Sequence, residues 1–435
     1  MELFEAVKRQ DIEEVKRQLN KEEEMDINFQ NIYQYEFEGE KEERLLTSLH
    51  IACKEDYASI VLLLLQDTRI DVNRPHNYGG TPFYIACFNG RTRIVKMLSE
   101  DKRVDVNKPN DNDVTPFYIA CQEGRLEIVK MLLEDKRVDV NKKTNDGRTP
   151  LYAACCFGKY LLLKTLLEDK RIDVNDASIQ GTTPFSIACQ EGHLEVVKIL
   201  LKDERLDVNK PNNNGATPFY LACQRGRLDV VKLLMEDDRV NVTKERDGGF
   251  TPFYVACSHG QTCIVKFLMK DGRIDVNKQT NDGFAPLHVS SNHQEISKLL
   301  ILDARVDINI TNADGQSPFL DACLEYLMSE ALFFCKQLIS SGRYIHLGHQ
   351  DNQGLTAKEI AEQKGSQEIV NLIRNYETDR ENTILQVRKE LGIQSISKTQ
   401  MFVYSCSDGQ LNEIKKFLSF RRKRHFQSPS SSSYF

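Results

Sequence analysis

The sequence has no excess of positive charge, no long apolar run and no known catalytic motif. Its 58 Lys and Arg residues are fewer than its 64 Asp and Glu residues, which leaves a net charge of −6. A protein that grips nucleic-acid backbones is usually basic, so this balance argues against nucleic acid as a partner. No apolar stretch approaches the roughly 18 residues that cross a bilayer, so we expect no membrane span.

Enzyme signatures are also missing. The chain has no phosphate-binding loop, no His-Glu-x-x-His pair, no Gly-x-Ser-x-Gly elbow and no set of kinase motifs. We therefore expect no enzyme activity, no catalytic residue and no cofactor. The N-terminus lacks the basic start and apolar core of a secretory signal, so we expect an intracellular, cytoplasmic protein.

What the sequence does contain is an internal repeat. Its 435 residues would correspond to about three ordinary domains, but the phrase Thr-Pro-Phe-Tyr and its variants recur every 34 residues. The first residues of these phrases are Thr47, Thr81, Thr115, Thr149, Thr183, Thr217, Thr251 and Ala285. Looser units begin at Ser317 and Thr356, a capping unit fits the N-terminus, and a weak last unit begins near Gln400. The pattern therefore predicts about twelve units.

Each unit predicts two short helices and a hairpin. Thr81 is suited to cap the first helix, because its hydroxyl can accept from an unpaired N–H of the first turn, and Pro82 fits the first helical position. Gly90 follows where the chain must reverse in a left-handed conformation before the second helix. Alternating Val and polar residues then lead into an Asp-Gly turn at Asp146 and Gly147, which is typical of a hairpin finger.

These columns resemble the ankyrin repeat family. The resemblance is carried by the Thr-Pro column, the Gly column, the second-helix stretch at 192–198 and the Asp-Val-Asn column that includes Asn73 and Asn107. This chain differs in its 34-residue period, in Tyr where the family has His, and in Cys where the family has the second Ala of the first helix. The resemblance implies an all-α, ankyrin-type solenoid of stacked helix pairs with short hairpin fingers. It also implies a concave face lined by the fingers and the first helices.

Nine of the twelve cysteines occupy one position of the repeat. They are Cys53, Cys87, Cys121, Cys155, Cys189, Cys223, Cys257, Cys323 and Cys406. Packed helices lie about 8–10 Å apart, which is too far for a disulfide between equivalent positions, so we expect buried packing residues and no metal site. The alternative is a metal site at Cys323, Cys335, His346 and His349, whose spacing fits no common ligand pattern.

The pattern predicts five regions along the chain. Residues 1–46 form a capping unit with an acidic loop, 47–316 the regular array, 317–377 irregular ankyrin-like units, 378–420 a helical extension with a possible degenerate repeat, and 421–435 a disordered basic, Ser-rich tail.

Two charged segments stand outside the regular pattern. Residues 20–46 hold nine acidic and three basic residues, a charge of −6, with Tyr33 among them. This segment is either a long finger or a loop that contacts a partner. The run from Arg421 to Arg424 is a solvated basic end or, as the alternative, a nuclear import signal.

Partner binding is expected at the columns that vary most between units. These are the finger tip just before the Thr and the end of the first helix, and the resemblance places both on the concave face. The candidate partner-binding residues are Phe88, Arg148, Phe157, Arg225, Phe250, His259 and Phe284. The alternative for the phenylalanines is that they pack on neighbouring fingers.

The sequence thus predicts a monomeric, protein-binding scaffold or adaptor that holds a partner protein, of unknown identity, on its concave face. One alternative is a substrate-recognition subunit of a ubiquitin ligase or another enzyme complex. Another is a nuclear regulatory protein.

Overall fold

The computed structural model divides into two compact units. The described part of the chain comprises residues 2–21, 26–37, 40–324 and 328–393. The first unit comprises Met1–Ala222 with Arg227–Asn241, and the second comprises Cys223–Gly226 with Val242–Phe435. The weak unit predicted from Gln400, with Cys406, and the basic run Arg421–Arg424 lie outside the described residues.

Helices dominate the described residues, which form 22 α-helices, one 3-10 helix and one two-stranded sheet. The first unit begins with α1 (Glu2–Lys8), α2 (Ile12–Leu19), β1 (Asn31–Phe37) and β2 (Glu40–Leu46). Helix pairs follow: α3 (Ser48–Lys54), α4 (Ala58–Gln66), α5 (Pro82–Phe88), α6 (Thr92–Glu100), α7 (Pro116–Glu123), α8 (Leu126–Glu134), α9 (Pro150–Cys156), α10 (Tyr160–Glu168), α11 (Pro184–Glu191), α12 (Leu194–Leu200), α13 (Pro218–Gln224) and α14 (Leu228–Met235). The remaining helices are α15 (Pro252–Ser258), α16 (Thr262–Leu268), the 3-10 helix His288–Ser290, α17 (Gln294–Leu302), α18 (Pro318–Leu324), α19 (Met328–Ser340), α20 (Ala357–Gln363), α21 (Gln367–Thr378) and α22 (Arg380–Glu390).

The local signals of the repeat form as predicted. The Thr115 hydroxyl accepts from the Tyr118 N–H at 3.1 Å, and Pro116 occupies the first helical position of α7. The helix ends at Gly124, whose φ of 74° lies in the left-handed region that a side chain disfavours. The chain then reverses into α8, so this repeat is a helix pair as the sequence predicts.

The repeated apolar columns form the core. Phe117 and Cys121 of the first helix are almost completely buried, as is Val129 of the second. The cysteines of the repeated column within the described chain are buried, free thiols, as predicted: Cys53, Cys87, Cys121, Cys155, Cys189, Cys223, Cys257 and Cys323. Burial raises the pKa of the thiol at Cys121, which keeps it protonated and unreactive. These cysteines therefore act as small packing residues.

A row of asparagines joins the loops of successive repeats. The Asn107 amide donates to the Arg137 carbonyl at 2.6 Å and accepts from the Asp139 N–H at 2.8 Å. The same pair of bonds recurs at Asn73, Asn141, Asn175 and Asn277. The Asp-Val-Asn column therefore exists because one side chain satisfies a donor and an acceptor of the next repeat.

Two further columns cap the ends of helices in the preceding repeat. Arg171 donates to the Leu133 carbonyl at 2.7 Å while its guanidinium is held by Asp169. Arg125 donates to the Phe88 carbonyl at 3.0 Å and so caps the end of a first helix. The last carbonyls of a helix have no partner within it, so a donor from the next repeat satisfies them. This Asp-x-Arg pair lies just before the Asp-Val-Asn residues in the chain.

The described C-terminal part of the acidic segment contains the two strands of a hairpin finger. β1 and β2 pair antiparallel from Asn31 opposite Leu46 to Phe37 opposite Glu40. Just before it, the Asn28 side chain bonds the loop of the next repeat in the same way as Asn107 does. The sequence was compatible with a finger or a loop in this segment, and the structure shows a finger.

One repeat departs from the predicted helix pair. Its first helix is reduced to the 3-10 turn His288–Ser290. Ala285 stands where other repeats have the capping Thr, so the hydroxyl cap is absent there. The Ser290 hydroxyl donates to the Leu287 carbonyl at 2.9 Å, which competes with helical backbone bonds.

The C-terminal described part is helical, with α19 in the region predicted to hold irregular units and α22 in the predicted helical extension. Arg388 of α22 is 3% exposed and donates to the Ser340 carbonyl at 2.7 Å. It therefore caps the end of α19, as the column arginines do in the regular repeats.

Candidate functional site

In the first unit, the side chain of the finger-tip candidate Arg148 contacts residues close to it in the chain. Its guanidinium lies 5.6 Å above the ring of Tyr152 and 3.6 Å from the Asp146 carboxylate. Tyr152 is buried, whereas the Arg148 side chain keeps 44% of its surface exposed. The buried ring thus holds a cation at the surface, in a geometry typical of cation–π contacts.

In the second unit, two finger-tip phenylalanines pack on rings of their own repeats. Phe250 meets Tyr254 edge to face at 5.4 Å, and Phe284 meets His288 in the same way at 5.7 Å. Both phenylalanines are half-buried. The sequence alternative had them packing on neighbouring fingers, but the rings they contact belong to the first-helix segment that follows each finger. Each retains an exposed part that a partner can contact.

The ends of the first helices are more open. Phe157 of the first unit is 52% exposed, and Phe88 is half-buried beside the cap from Arg125. In the second unit Arg225 and His259 are both exposed. The His259 ring lies 3.4 Å from the amide nitrogen of Gln224, so the structure brings His259 next to the residue that precedes Arg225.

Cys156, the last residue of α9, belongs to the same variable column at the end of the first helix. It occupies the same repeat position as Phe88 and is half-buried. Burial, and to a lesser extent the Glu191 carboxylate, raises the pKa of its thiol, while the Arg148 charge acts in the opposite direction. The Cys156 thiol therefore lies near the charges of the Arg148 finger tip and of Glu191, which ends the first helix of the next repeat.

A second apolar feature was missed at the sequence level. Tyr160 and Leu161 begin α10, and Leu161 is 70% exposed. Two neighbouring repeats have Glu127 and Glu195 at the Leu161 position, each in an ion pair with a lysine of its helix. The leucine at position 161, in place of the glutamate of the neighbouring repeats, is the sequence signal that could have identified these exposed apolar residues.

Two histidines and Cys323 have structural partners within the protein. The buried His50 ring accepts from the Thr47 N–H at 3.1 Å and lies 3.1 Å from the Gly80 carbonyl. Cys323 donates to the Phe319 carbonyl, and His349 bonds the Gly315 carbonyl. Within the described ranges, no group of three or more His, Cys, Asp or Glu side chains is placed to hold a metal ion. In the same part of the chain, no helix combines the length and the apolarity that crossing a bilayer requires.

Comparisons with known proteins agree with the repeat columns. The family model of ankyrin repeats (three copies) matches residues 3–110, 102–178, 162–246 and 238–312. The chain therefore belongs to the ankyrin repeat family, whose fold is typically a non-catalytic module for protein interaction. The chain is similar to the crystal structure of the human ASB11 ankyrin repeat domain, with 28% sequence identity. That likeness covers 52% of this chain and 99% of the other, with a TM-score of 0.46. No curated protein matches the chain.

Proposed function

We propose that the protein is a scaffold or adaptor that binds a partner protein through the finger tips and first-helix ends of its repeats. One observation carries the proposal: the repeated apolar columns are buried, whereas all seven candidate residues of the variable columns are exposed or half-buried. Arg148, Arg225, Phe157 and His259 are the most open of these residues. Large aromatic and arginine side chains at such positions are typical of interface hot spots.

The experiment is affinity capture with the full chain, followed by mass spectrometry and a binding assay with each captured partner. The triple variant Arg148→Ala, Phe157→Ala, His259→Ala is compared with Lys130→Ala, Lys198→Ala, Lys232→Ala, which alters three exposed second-helix residues. We expect the first variant to weaken binding at least about tenfold, because each lost hot spot costs about 1–2 kcal/mol. Equal binding by both variants would contradict the proposal.

We also propose a monomer located in the cytoplasm. The support for this location is that the described column cysteines are single buried thiols, as is usual in a reducing compartment. Light scattering tests the monomer, and imaging of a tagged full chain tests the location. Nuclear accumulation that disappears when Arg421–Arg424 are neutralised would favour the nuclear alternative.

A further inference from the structure

The hairpin of the acidic segment has two edges, and within the described part of the chain only one of them is occupied. On the β2 side, the Asn77 side chain accepts from the Leu45 N–H at 3.0 Å and donates to the Glu43 carbonyl at 3.1 Å. In an antiparallel pair, alternate residues direct their backbone groups away from the partner strand. Leu45 and Glu43 are therefore the outward residues of β2, and their bonds attach that edge to the next finger.

The register then identifies the outward residues of β1. Ile32 lies opposite Leu45, and Gln34 lies opposite Glu43, so both direct their backbone groups to the other edge. The Ile32 N–H donates to its neighbouring Asn31 side chain at 2.9 Å. Among the residues that the structure describes, nothing bonds the outward backbone N–H and carbonyl of Gln34. An edge with unpaired groups of this kind is a template for another strand.

One face of this edge is open and apolar. The Tyr33 hydroxyl donates to the Glu55 carboxylate at 3.2 Å, and its ring lies 4.9 Å below the Lys54 ammonium, so the Tyr33 face is held against α3. On the opposite face, Ile32 is 56% exposed and its cross-strand neighbour Leu45 is 39% exposed. A third strand that places an apolar side chain beside Ile32 would cover this pair.

The charge of the hairpin indicates which kind of strand fits the edge of β1. The hairpin sequence from 31 to 46 contains five acidic and two basic residues, and the longer segment 20–46 has a charge of −6. A second copy of the same hairpin would bring two acidic strands together, which is unfavourable. A strand with alternating basic and apolar residues meets both requirements.

We propose that the free edge of β1 binds a basic, extended segment of a partner protein, which adds to the hairpin as a third strand. Backbone bonds to Gln34 supply the pairing, Ile32 contacts an apolar side chain, and the acidic residues attract the basic ones. The surface shares no residue with the finger tips and first-helix ends proposed above, so either proposal can fail without the other.

The test uses the full chain and a fluorescein-labelled nine-residue peptide that alternates Lys and Val. Binding is followed by fluorescence anisotropy, and hydrogen exchange reports the Gln34 amide. The matched variants are Gln34→Pro, which removes the outward N–H without touching the bonds to β2, and Gln34→Ala, which keeps it. A second peptide carries N-methyl groups on the edge that would face β1, and a third has Glu in place of Lys.

We expect saturable binding of the Lys/Val peptide and protection of the Gln34 amide. Gln34→Pro and the N-methyl groups should each weaken binding about tenfold, since one or two backbone hydrogen bonds are lost, whereas Gln34→Ala should remain within about twofold. The Glu/Val peptide should not bind. The proposal is overturned if the Lys/Val peptide does not bind. It is equally overturned if the N-methylated peptide binds as tightly, because the attraction would then be charge alone.

Discussion

The guanidinium of Arg171 donates a 2.7 Å hydrogen bond to the carbonyl oxygen of Leu133, a residue that lies 38 positions earlier in the chain. Leu133 belongs to the last turn of α8, where the carbonyls have no helical partner and the helix dipole is negative. Asp169 holds the guanidinium in place through three further bonds, at 3.1, 3.1 and 2.7 Å. One side chain thus closes a helix of the preceding repeat and links the two repeats.

We predict that Arg171→Lys lowers the free energy of unfolding by about 1 kcal/mol and Arg171→Ala by about 2 kcal/mol. An ammonium cannot bond the Leu133 carbonyl and both Asp169 oxygens in the fork geometry of a guanidinium. Urea unfolding followed by circular dichroism measures the loss. The control is Lys170→Ala at the exposed neighbouring position, which should change stability by less than about 0.5 kcal/mol. A loss from Arg171→Ala no larger than this would show that the contact contributes nothing.

A second prediction concerns two buried histidines near the N-terminus. The rings of His50 and His76 are 5.8 Å apart. Burial, with a smaller contribution from the His76 charge, lowers the pKa of His50 to about 3. Burial and the Arg44 charge lower the pKa of His76 to about 4. As the pH falls, these histidines are protonated in the unfolded protein at a higher pH than in the folded protein. Their contribution to the free energy of unfolding is therefore full above about pH 6.5 and declines as the pH falls toward the pKa values of the folded state.

Between pH 6.5 and pH 5 we expect each histidine to lower the free energy of unfolding by about 2 kcal/mol. Urea unfolding at a series of pH values measures it. His50→Tyr and His76→Asn introduce residues that other repeats carry at these positions, since Tyr118 and Asn110 are the equivalents. The double variant should lose most of the pH dependence in this range, and each single variant about half. An unchanged slope in the double variant would refute the assignment.

The left-handed glycines give a third prediction. A Cβ on Gly124 would require a side chain at φ 74° and would lie 3.1 Å from Cδ of Lys159. We expect Gly124→Ala to lower the free energy of unfolding by about 1 kcal/mol or more, chiefly through the backbone conformation. Gly272→Ala is the control, because a Cβ there meets nothing within 4 Å and the φ is not in the left-handed region. Thermal unfolding of the two variants should separate them, with only Gly124→Ala lowering the midpoint.

The shortened helix at His288–Ser290 leads to a fourth prediction. Ala285→Thr supplies the missing hydroxyl cap and should raise the free energy of unfolding by about 1 kcal/mol. The reverse change, Thr251→Ala in the preceding repeat, removes the 3.0 Å hydrogen bond from the Tyr254 N–H to the Thr251 hydroxyl. It should lower the free energy of unfolding by about 1 kcal/mol. Hydrogen exchange of residues 288–291 should slow in Ala285→Thr. If exchange is unchanged, the serine bonds rather than the missing cap keep the helix short.

The repeated residues by themselves determined the fold. A Thr hydroxyl finds its N–H three residues away, a Pro sets its own φ, and the Gly conformation is a local backbone property. Such signals need no knowledge of the rest of the chain, so the helix pair at Thr115–Glu134 was predictable. The shortened helix after Ala285 has two local candidate causes, the absent cap hydroxyl and the Ser290 bond. The sequence shows both residues, although the prediction retained a helix there.

Only the tertiary structure decided where contacts between repeats fall. Arg171 bonds the Leu133 carbonyl and Arg125 bonds the Phe88 carbonyl, and each pair is separated by more than 30 residues in the chain. A local sequence pattern does not show which carbonyl lacks a partner. The same holds for the candidate surface. Sequence variation picked out Phe250 and Phe157 alike, but packing on Tyr254 half-buries the first, while the second stays 52% exposed. Repetition encodes the local geometry, whereas exposure depends on which ring or carbonyl the fold brings nearby.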